Sequence, residues 1–424
     1  MSRLSILWLA FALPVAWSQE RPSGAPSLTL PQAAALTLER NPRLRSAPFG
    51  REAAATELDQ ATLTPPWSVD LQVEGIAGTG EHSGFKAAET TLRLSRIFQP
   101  SGVRSGRISV ASVQRDQSDN ELEIERLDLM TLLARRFEAV VHRQDLLQLA
   151  EESVEVWQRA RELVLSRERA GAAPAVERLR TEIQLANARL RVEDAEHELR
   201  AARLSLTATW GDITPTFGAA DADLCLLPEL APFEAVAANL ERNPDLLRFA
   251  SEQGLEAARA RLADARRRPD WTLSAGVRRF EQVDDQALVF SVSVPLGSSS
   301  RAAPAVRRAN ALRQRSELEE QAVRLRIHAT LFELYQEMVH ARTALQTFDG
   351  EILPRANEIL ADIEDGYRVG RFSHLELLTA QADLLAARAA RLTACSDHQI
   401  LLIDIERLTG GGSVWLAERP GATP

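Results

Sequence analysis

The five residues LERNP at 38–42 are spelled again, letter for letter, at 240–244, and their neighbours repeat in the same order. WSVDLQVEG, opening at Trp67, answers WTLSAGV, opening at Trp271, and TLRLS at 91–95 answers VFSVSV at 289–294. RAGAAPAVERL at 169–179 answers RVGRFSHLELL at 368–378, and LTATWG at 206–211 answers IERLTGG at 405–411. All the offsets lie near 200 residues, too long a period for a solenoid of small units. The chain is therefore an internal duplication of one large unit, and any fold must be buildable twice from the same plan.

Each unit reads helix, strand, strand, very long helix, short turn, helix. Thr29 with Gln32 forms a capping box that starts the first helix, over about 31–62; its counterpart runs from about Phe233 to Arg267. Residues 107–170 contain neither Gly nor Pro, which predicts one helix on the order of 100 Å long. In the second half Ile327, Leu331, Leu334, Met338, Ala341 and Leu345 recur at spacings of four and three, a coiled-coil seam, with Pro354 expected to kink or interrupt it. The two shorter helices of a unit together cover nearly the length of the long one. They can stack end to end beside it, which implies a tall, thin body. The expected divisions are a first repeat over 19–211 (hairpin 66–97, long helix 103–169, helix 174–209), a linker at 212–232, and a second repeat over 233–411 (hairpin 270–296, long helix 301–366, helix 373–409). A tail at 412–424 follows.

Trp67, Val69, Leu71 and Val73 alternate with Ser68, Asp70, Gln72 and Glu74, and Trp271, Leu273, Ala275 and Val277 alternate likewise with polar or small residues. Phe290, Val292, Val294 and Leu296 share one face of the last strand. Such strands, near ten residues long with Trp at one end, suit a lipid-facing barrel wall, but a sheet half-buried on a soluble core gives the same alternation. The N-terminus tilts the balance. Arg3, an apolar run, and Ala16-Trp17-Ser18 before Gln19 read as a secretory signal peptide over 1–18. No other stretch is apolar enough for a transmembrane helix, so any membrane crossing falls to the strands. Four strands cannot close a barrel with a lumen, and open edges are not tolerated in lipid, so spanning requires several chains.

A formal net charge of -9 gives no electrostatic footprint for nucleic acid. No nucleotide-binding glycine pattern, nucleophile–base pair or metal-spaced His/Cys cluster occurs, so no catalytic residue, cofactor or metal site is assigned. The seven histidines are scattered; His82 lies in the Gly-rich GTGEHSG loop, and His374 stands at the second tip, where a lone His is not a metal site. Cys225 falls in the linker and Cys395 in a helix; although an exported chain can oxidise them, they are read as unpaired.

Glu177 lies six residues after Gly171, and Glu376 six after Gly370. Each unit thus places a carboxylate one turn inside the helix that leaves its tip. For Glu376 a capping box with Ser373 is the local reading. For Glu177 the helix-start role leads, because Pro174 occupies the first turn.

Over essentially the whole mature chain, this duplicated helix–hairpin–helix–helix plan resembles the TolC-like outer-membrane efflux proteins. The carrying stretches are GYRVGRFSHLELLTAQADLLAARAARL at 366–392, similar to the family's periplasmic tip, and VSVPLG at 292–297. RRPDWTLSAGVRRFEQVDDQALVFSVSVPL at 267–296 resembles the CzcC-type branch serving heavy-metal-cation pumps. The resemblance implies a mainly α chain with a transmembrane β-barrel contribution: a homotrimer with a twelve-stranded outer-membrane barrel and a twelve-helix periplasmic tunnel. It further implies a passive duct, not an enzyme, opened by a periplasmic adaptor and fed by an inner-membrane transporter of the RND type. Drugs or a secreted polypeptide remain alternative cargoes, and a soluble periplasmic coiled-coil scaffold is the rival class. Glu376, Glu177 and Tyr367 fall at the family's periplasmic aperture, and Gly171, Gly370 and Arg371 at the tip an adaptor contacts. The first unit departs from the pattern: Glu168 stands where the tip usually has Tyr, and IFQPSG replaces the Pro-Leu strand ending. Phe372 takes a family Arg position, leaving open whether the adjacent Arg371 substitutes, and Thr379 takes a second acidic one.

Overall fold

The computed structural model describes residues 26–410; the signal-peptide reading at 1–18 and the tail at 412–424 lie outside them. The helices are α1 (Leu30–Arg40), α2 (Pro42–Thr62), α3 (Val103–Arg169), α4 (Ala175–Thr207), α5 (Phe233–Ala237), α6 (Pro244–Ala265), α7 (Ser298–Thr347), α8 (Leu353–Arg368) and α9 (His374–Thr409). Four strands, β1 (Trp67–Glu74), β2 (Glu89–Phe98), β3 (Trp271–Phe280) and β4 (Asp285–Ser293), pair antiparallel in chain order. The α3 helix is unbroken over 67 residues.

The repeated LERNP has a structural job. In each unit its asparagine ends one helical segment and caps the next, with proline at the first helical position, where its missing N–H costs nothing. The Asn41 side chain accepts from the Arg43 and Leu44 amides, and the Asn243 side chain from the Asp245 amide. Each carboxamide then donates at 2.7 Å to the end of the other short helix of its unit, Asn41 to the Thr209 carbonyl and Asn243 to the Leu408 carbonyl. Both asparagines are buried. Here α2 meets the top of α4, and α6 the top of α9, so two short helices abut beside one long one. Gly410, at φ 67°, closes the joint tightly, since a Cβ there would meet the Arg242 carbonyl oxygen at 2.8 Å.

Two helices expected to be continuous are broken at this joint: 31–62 divides at Asn41, and the segment from Phe233 passes from α5 through a 3-10 turn at Ala238–Arg242 before α6. The physical reason is the shared Asn-Pro, because proline disfavours helical backbone in the residue before it. The second long helix is interrupted by a π-turn at Phe348–Ile352, immediately ahead of Pro354. The missing Pro354 amide forces the preceding carbonyls to find other donors. Ile327, Leu331, Met338, Ala341 and Leu345 are buried, with Leu334 packed partly buried beside them, so the seam lies inward.

The main core sits at mid-height, where Leu133, Phe137, Val140 and Val141 of α3 meet Leu206, Trp210, Phe217, Leu224 and Leu345. The linker at 212–232 wraps this level and is tied down polar group by polar group. Gln144 holds both backbone groups of Ala220, and Gln399 donates to the Leu224 and Leu226 carbonyls. Arg342 and Tyr335 reach the carbonyls of Pro228 and Ala231. Cys225 and Cys395 are joined as a disulfide across 170 residues, correcting the reading of two free thiols. Spacing in sequence gave no hint, because the linker and α9 are 170 residues apart and meet only in the folded chain.

Glu138 is buried beside this belt, hydrogen-bonded by the Ser396 hydroxyl. Burial pushes its carboxyl up to about 7, with Asp397 adding to the effect and the Ser396 bond and Arg143 opposing it.

Two outcomes are expected. Cys225→Ser/Cys395→Ser should run more slowly than wild type on non-reducing gels and lose about 2–4 kcal/mol of stability, the usual range for a bridge closing a long loop. Because Glu138 keeps its proton in the fold longer than in the unfolded chain, its contribution is complete below the ordinary carboxylate range and fades as pH rises through about 7. Denaturant melts at pH 5 and pH 8 should show Glu138→Gln less pH-dependent than wild type by up to about 3 kcal/mol.

Candidate functional site at the helical tips

The two tips are built alike. After α3, Gly171 takes φ 71°, its amide donating to the Glu168 carbonyl, while the Ala172 amide reaches back to the Arg167 carbonyl at 2.8 Å. After α8, Gly370 takes φ 81°, its amide donating to the Tyr367 carbonyl, while the Arg371 amide reaches the Gly366 carbonyl at 2.7 Å. These are left-handed glycine terminations that satisfy the last carbonyls of each helix.

The same frame carries different side chains. Ser373 caps α9: its amide and hydroxyl donate to the Glu376 carboxylate at 2.7 and 2.8 Å, and its hydroxyl accepts from the Glu376 amide. These bonds hold the Glu376 carboxyl below the usual carboxylate range. The capping role of Glu376 is thus present in the geometry. At the matching place before α4 stands Pro174, which has no hydroxyl or amide hydrogen to offer. Glu177 is left without a cap partner and reaches across to the other unit, where its carboxylate accepts from the Tyr367 hydroxyl at 2.6 Å. Glu177 lies in the first turn of α4, where its helix-start role places it, and its side chain in addition bridges the two repeats.

Tyr367 is 1% exposed, packed on Val164 and Leu377, with the Arg167 guanidinium 4.4 Å from its ring centroid. Burial, then the Glu177 hydrogen bond and charge, raise its pKa, so the phenol stays a neutral donor across the physiological range. His374 is buried beside it, its Nε2 2.9 Å from the Thr181 hydroxyl. That hydroxyl donates to the Glu177 carbonyl, which assigns Nε2–H as the donor to Thr181. Burial lowers the His374 pKa, Arg180 adding to this against the pull of Glu177, so the ring is neutral. The imidazole is thus packed into the tip and engaged with Thr181.

Arg167, Tyr367, Glu177, Thr181 and His374 form one chain of contacts through α3, α8, α4 and α9. Arg371 stands apart: its guanidinium stacks on Phe372, 4.9 Å from the ring centroid. Phe372 in turn packs onto Gly366, where any Cβ would fall 2.3 Å from the ring. Glu168, the counterpart of Tyr367, pairs with Arg178 at 3.0 Å. Sequence reading missed Arg167 and Thr181. A basic residue in a last helical turn is the faint signal for the first; nothing local announces the second.

At the opposite end, the sheet register sorts side chains onto two faces. One carries Asp70, Gln72, Arg93, Ser95, Ser274 and Arg278. The other carries Val69, Leu71, Leu94, Val277, Leu288 and Phe290, with Leu71 and Phe290 about 70% exposed, at 67% and 72%. Neither β1 nor β4 has a second strand neighbour among the described residues. Among the described residues no helix is long and apolar enough to cross a membrane, and no group of three or more His, Cys, Asp or Glu could hold a metal ion.

A sheet with a bare apolar face, set on helices that end in paired tips, defines one protomer of an outer-membrane channel with a periplasmic helical extension. The chain belongs to the outer membrane efflux protein family, whose model matches residues 33–212 and 236–411. It is 27% identical over 417 residues to the cobalt-zinc-cadmium resistance protein CzcC of Cupriavidus metallidurans, covering 96% of this chain and 98% of that one. Its fold matches a membrane protein from Pseudomonas aeruginosa (TM-score 0.75, 18% identity, 96% of this chain and 97% of that one). It also matches the CmeC outer membrane channel of Campylobacter jejuni (TM-score 0.74, 15% identity, 97% and 94%). The soluble-scaffold alternative is thereby set aside.

Tyr367→Phe removes one charge-assisted hydrogen bond and leaves the Glu177 carboxylate without its donor. The expected loss is about 1.5–3 kcal/mol at the tip, read as faster amide exchange in α8 and the start of α9 than in α3.

Proposed function

We propose that three copies of the chain close their sheets into a twelve-stranded barrel and their helices into a twelve-helix tunnel, forming the outer-membrane duct of a tripartite pump. The observation that carries this is the four-stranded sheet, apolar and exposed on one face and open at both edges. In hydrocarbon every backbone N–H and C=O needs a partner, and four strands enclose no lumen, so β4 of one copy must pair with β1 of the next. Three sheets of four give twelve strands.

The duct is passive. Its energy comes from an inner-membrane transporter of the RND type, coupled through a periplasmic adaptor that meets the glycine turns at Gly171 and Gly370 and the exposed Arg371. Around the closed entrance the Tyr367–Glu177 bond, backed by Arg167, acts as the latch between the two units of each protomer. Glu376, already ionised by its cap, contributes negative charge to the same constriction. Three copies of Glu376 and Glu177 favour cations there, as rings of carboxylates do in other pores. Divalent heavy-metal cations are the proposed cargo, supported by the similarity to CzcC along nearly the whole chain.

In mild detergent the protein should have the mass of a trimer, and in planar bilayers it should conduct; a monomer without conductance would end the proposal. Glu376→Gln should lower the preference for cations over anions with assembly intact, and an unchanged reversal potential would leave the residue as a cap alone. Loss of the chain from cells expressing its pump should sensitise them to zinc, cobalt or cadmium, and sensitivity to drugs only would redirect the cargo.

A further inference from the structure

Four arginines lie in the strands, and three have acceptors: Arg93 has Gln72, Arg278 has Glu74, Glu89 and Thr91, and Arg279 has Glu281 and Asp284. Arg96 alone has no hydrogen bond or ion pair within the described chain. It belongs to the column Thr90, Leu92, Leu94, Arg96, Phe98, the apolar face of β2, and its register partners are Trp67 on β1 and Leu273 on β3. Its guanidinium lies 5.0 Å from the Trp67 ring centroid and 5.7 Å from that of Phe98, and Phe98 is paired with Trp271. A half-buried cation is thus ringed by aromatics on the one face where the strands offer it no acceptor.

We propose that Arg96 binds the phosphate of a phospholipid headgroup on the outer wall of the barrel, at its periplasmic rim. This rests on the reading of the apolar face as lipid-facing. On that reading a bare guanidinium is tolerable only at the headgroup level, and the end of β2 that runs into α3 is the periplasmic end. Stacking on Trp67 and Phe98 fixes the guanidinium plane and leaves its N–H edge free for two parallel bonds to phosphate oxygens, a geometry that a flexible ammonium lacks. The surroundings agree in charge. Segments 96–107, 264–271 and 295–308, which join the strands to the helices, each hold three arginines, opposed only by Asp264 and Asp270, in a chain whose net charge is -9.

The test uses the full-length protein in mixed micelles with phosphatidylglycerol, counting retained phospholipid per assembly by native mass spectrometry. Arg96→Gln should retain phosphatidylglycerol about fivefold more weakly than wild type, the effect expected for one basic residue at an anionic surface. Inorganic phosphate at equal concentration should not displace the lipid; if it does, the site takes free anions and the proposal fails. Equal retention by Arg96→Gln and wild type also overturns it. Should the Gln variant not assemble, Arg96→Lys substitutes: its retention should fall steeply with added salt, and salt-insensitive retention counts against the proposal. A wild-type protein that conducts but retains no lipid refutes the headgroup site alone, whereas one that neither conducts nor enters bilayers refutes the barrel reading beneath it.

Discussion

A buried asparagine used twice is what allows this chain to be tall. A continuous 67-residue helix needs a neighbour along its whole length, or its apolar stripe faces water. Among the described residues no second helix of that length exists in the first unit. The gap is closed by abutting α2 on α4, and an abutment exposes the weakest part of any helix, its unpaired terminal amides and carbonyls. Asn41 answers both ends at once: its side-chain oxygen takes amides at the start of α2, and its nitrogen gives to the Thr209 carbonyl at the end of α4. Asn243 repeats the solution between α6 and α9. Asp could not do so, since an ionised carboxylate only accepts, whereas the joint needs an acceptor and a donor on one side chain.

Duplication supplies the frame, and divergence within it supplies the asymmetry at the tips. Both units keep the glycine turn and the acid one turn into the next helix. Exchanging a capping serine for Pro174 releases Glu177 from its own helix, while Ser373 keeps Glu376 at home. Exchanging tyrosine for Glu168 in the first unit gives it a surface ion pair with Arg178, and surface pairs contribute little. The buried phenol of Tyr367 then takes the Glu177 carboxylate across the units, beside the Thr181–His374 contact. A strict repeat would have two caps or two bridges; this chain has one of each, and the bridge ties α4 to α8.

The strands, the unbroken α3 and the inward seam of α7 were legible because each rests on a short-range period that the sequence spells directly. The exposed apolar face was legible as alternation, although alternation alone did not say whether lipid or a soluble core would cover it. Three things were not legible. The helix break at Asn41 was hidden because Asn-Pro can sit inside a long apolar pattern without disturbing it. The disulfide depends on the linker returning to α9, a contact across 170 residues that no local pattern encodes. The side-chain direction of Glu177 depends on a missing competitor at position 174 and a donor on another helix, neither visible from the residue itself.

The same division of surfaces explains why a membrane protein reads like a soluble one. Mean hydropathy is -0.19, and no described helix is apolar enough to span. Only one face of four strands meets hydrocarbon, so at any window length half of even those residues are polar. The other face holds paired charges such as Arg278 with Glu74 and Glu89, which need water or one another. The helices bury narrow seams and leave their remaining circumference polar, as a wall with solvent on both sides requires. Apolar residues are therefore numerous, but no described helix gathers them into a run long enough to span. Their order along the strands, and not their abundance, is what commits the chain to lipid.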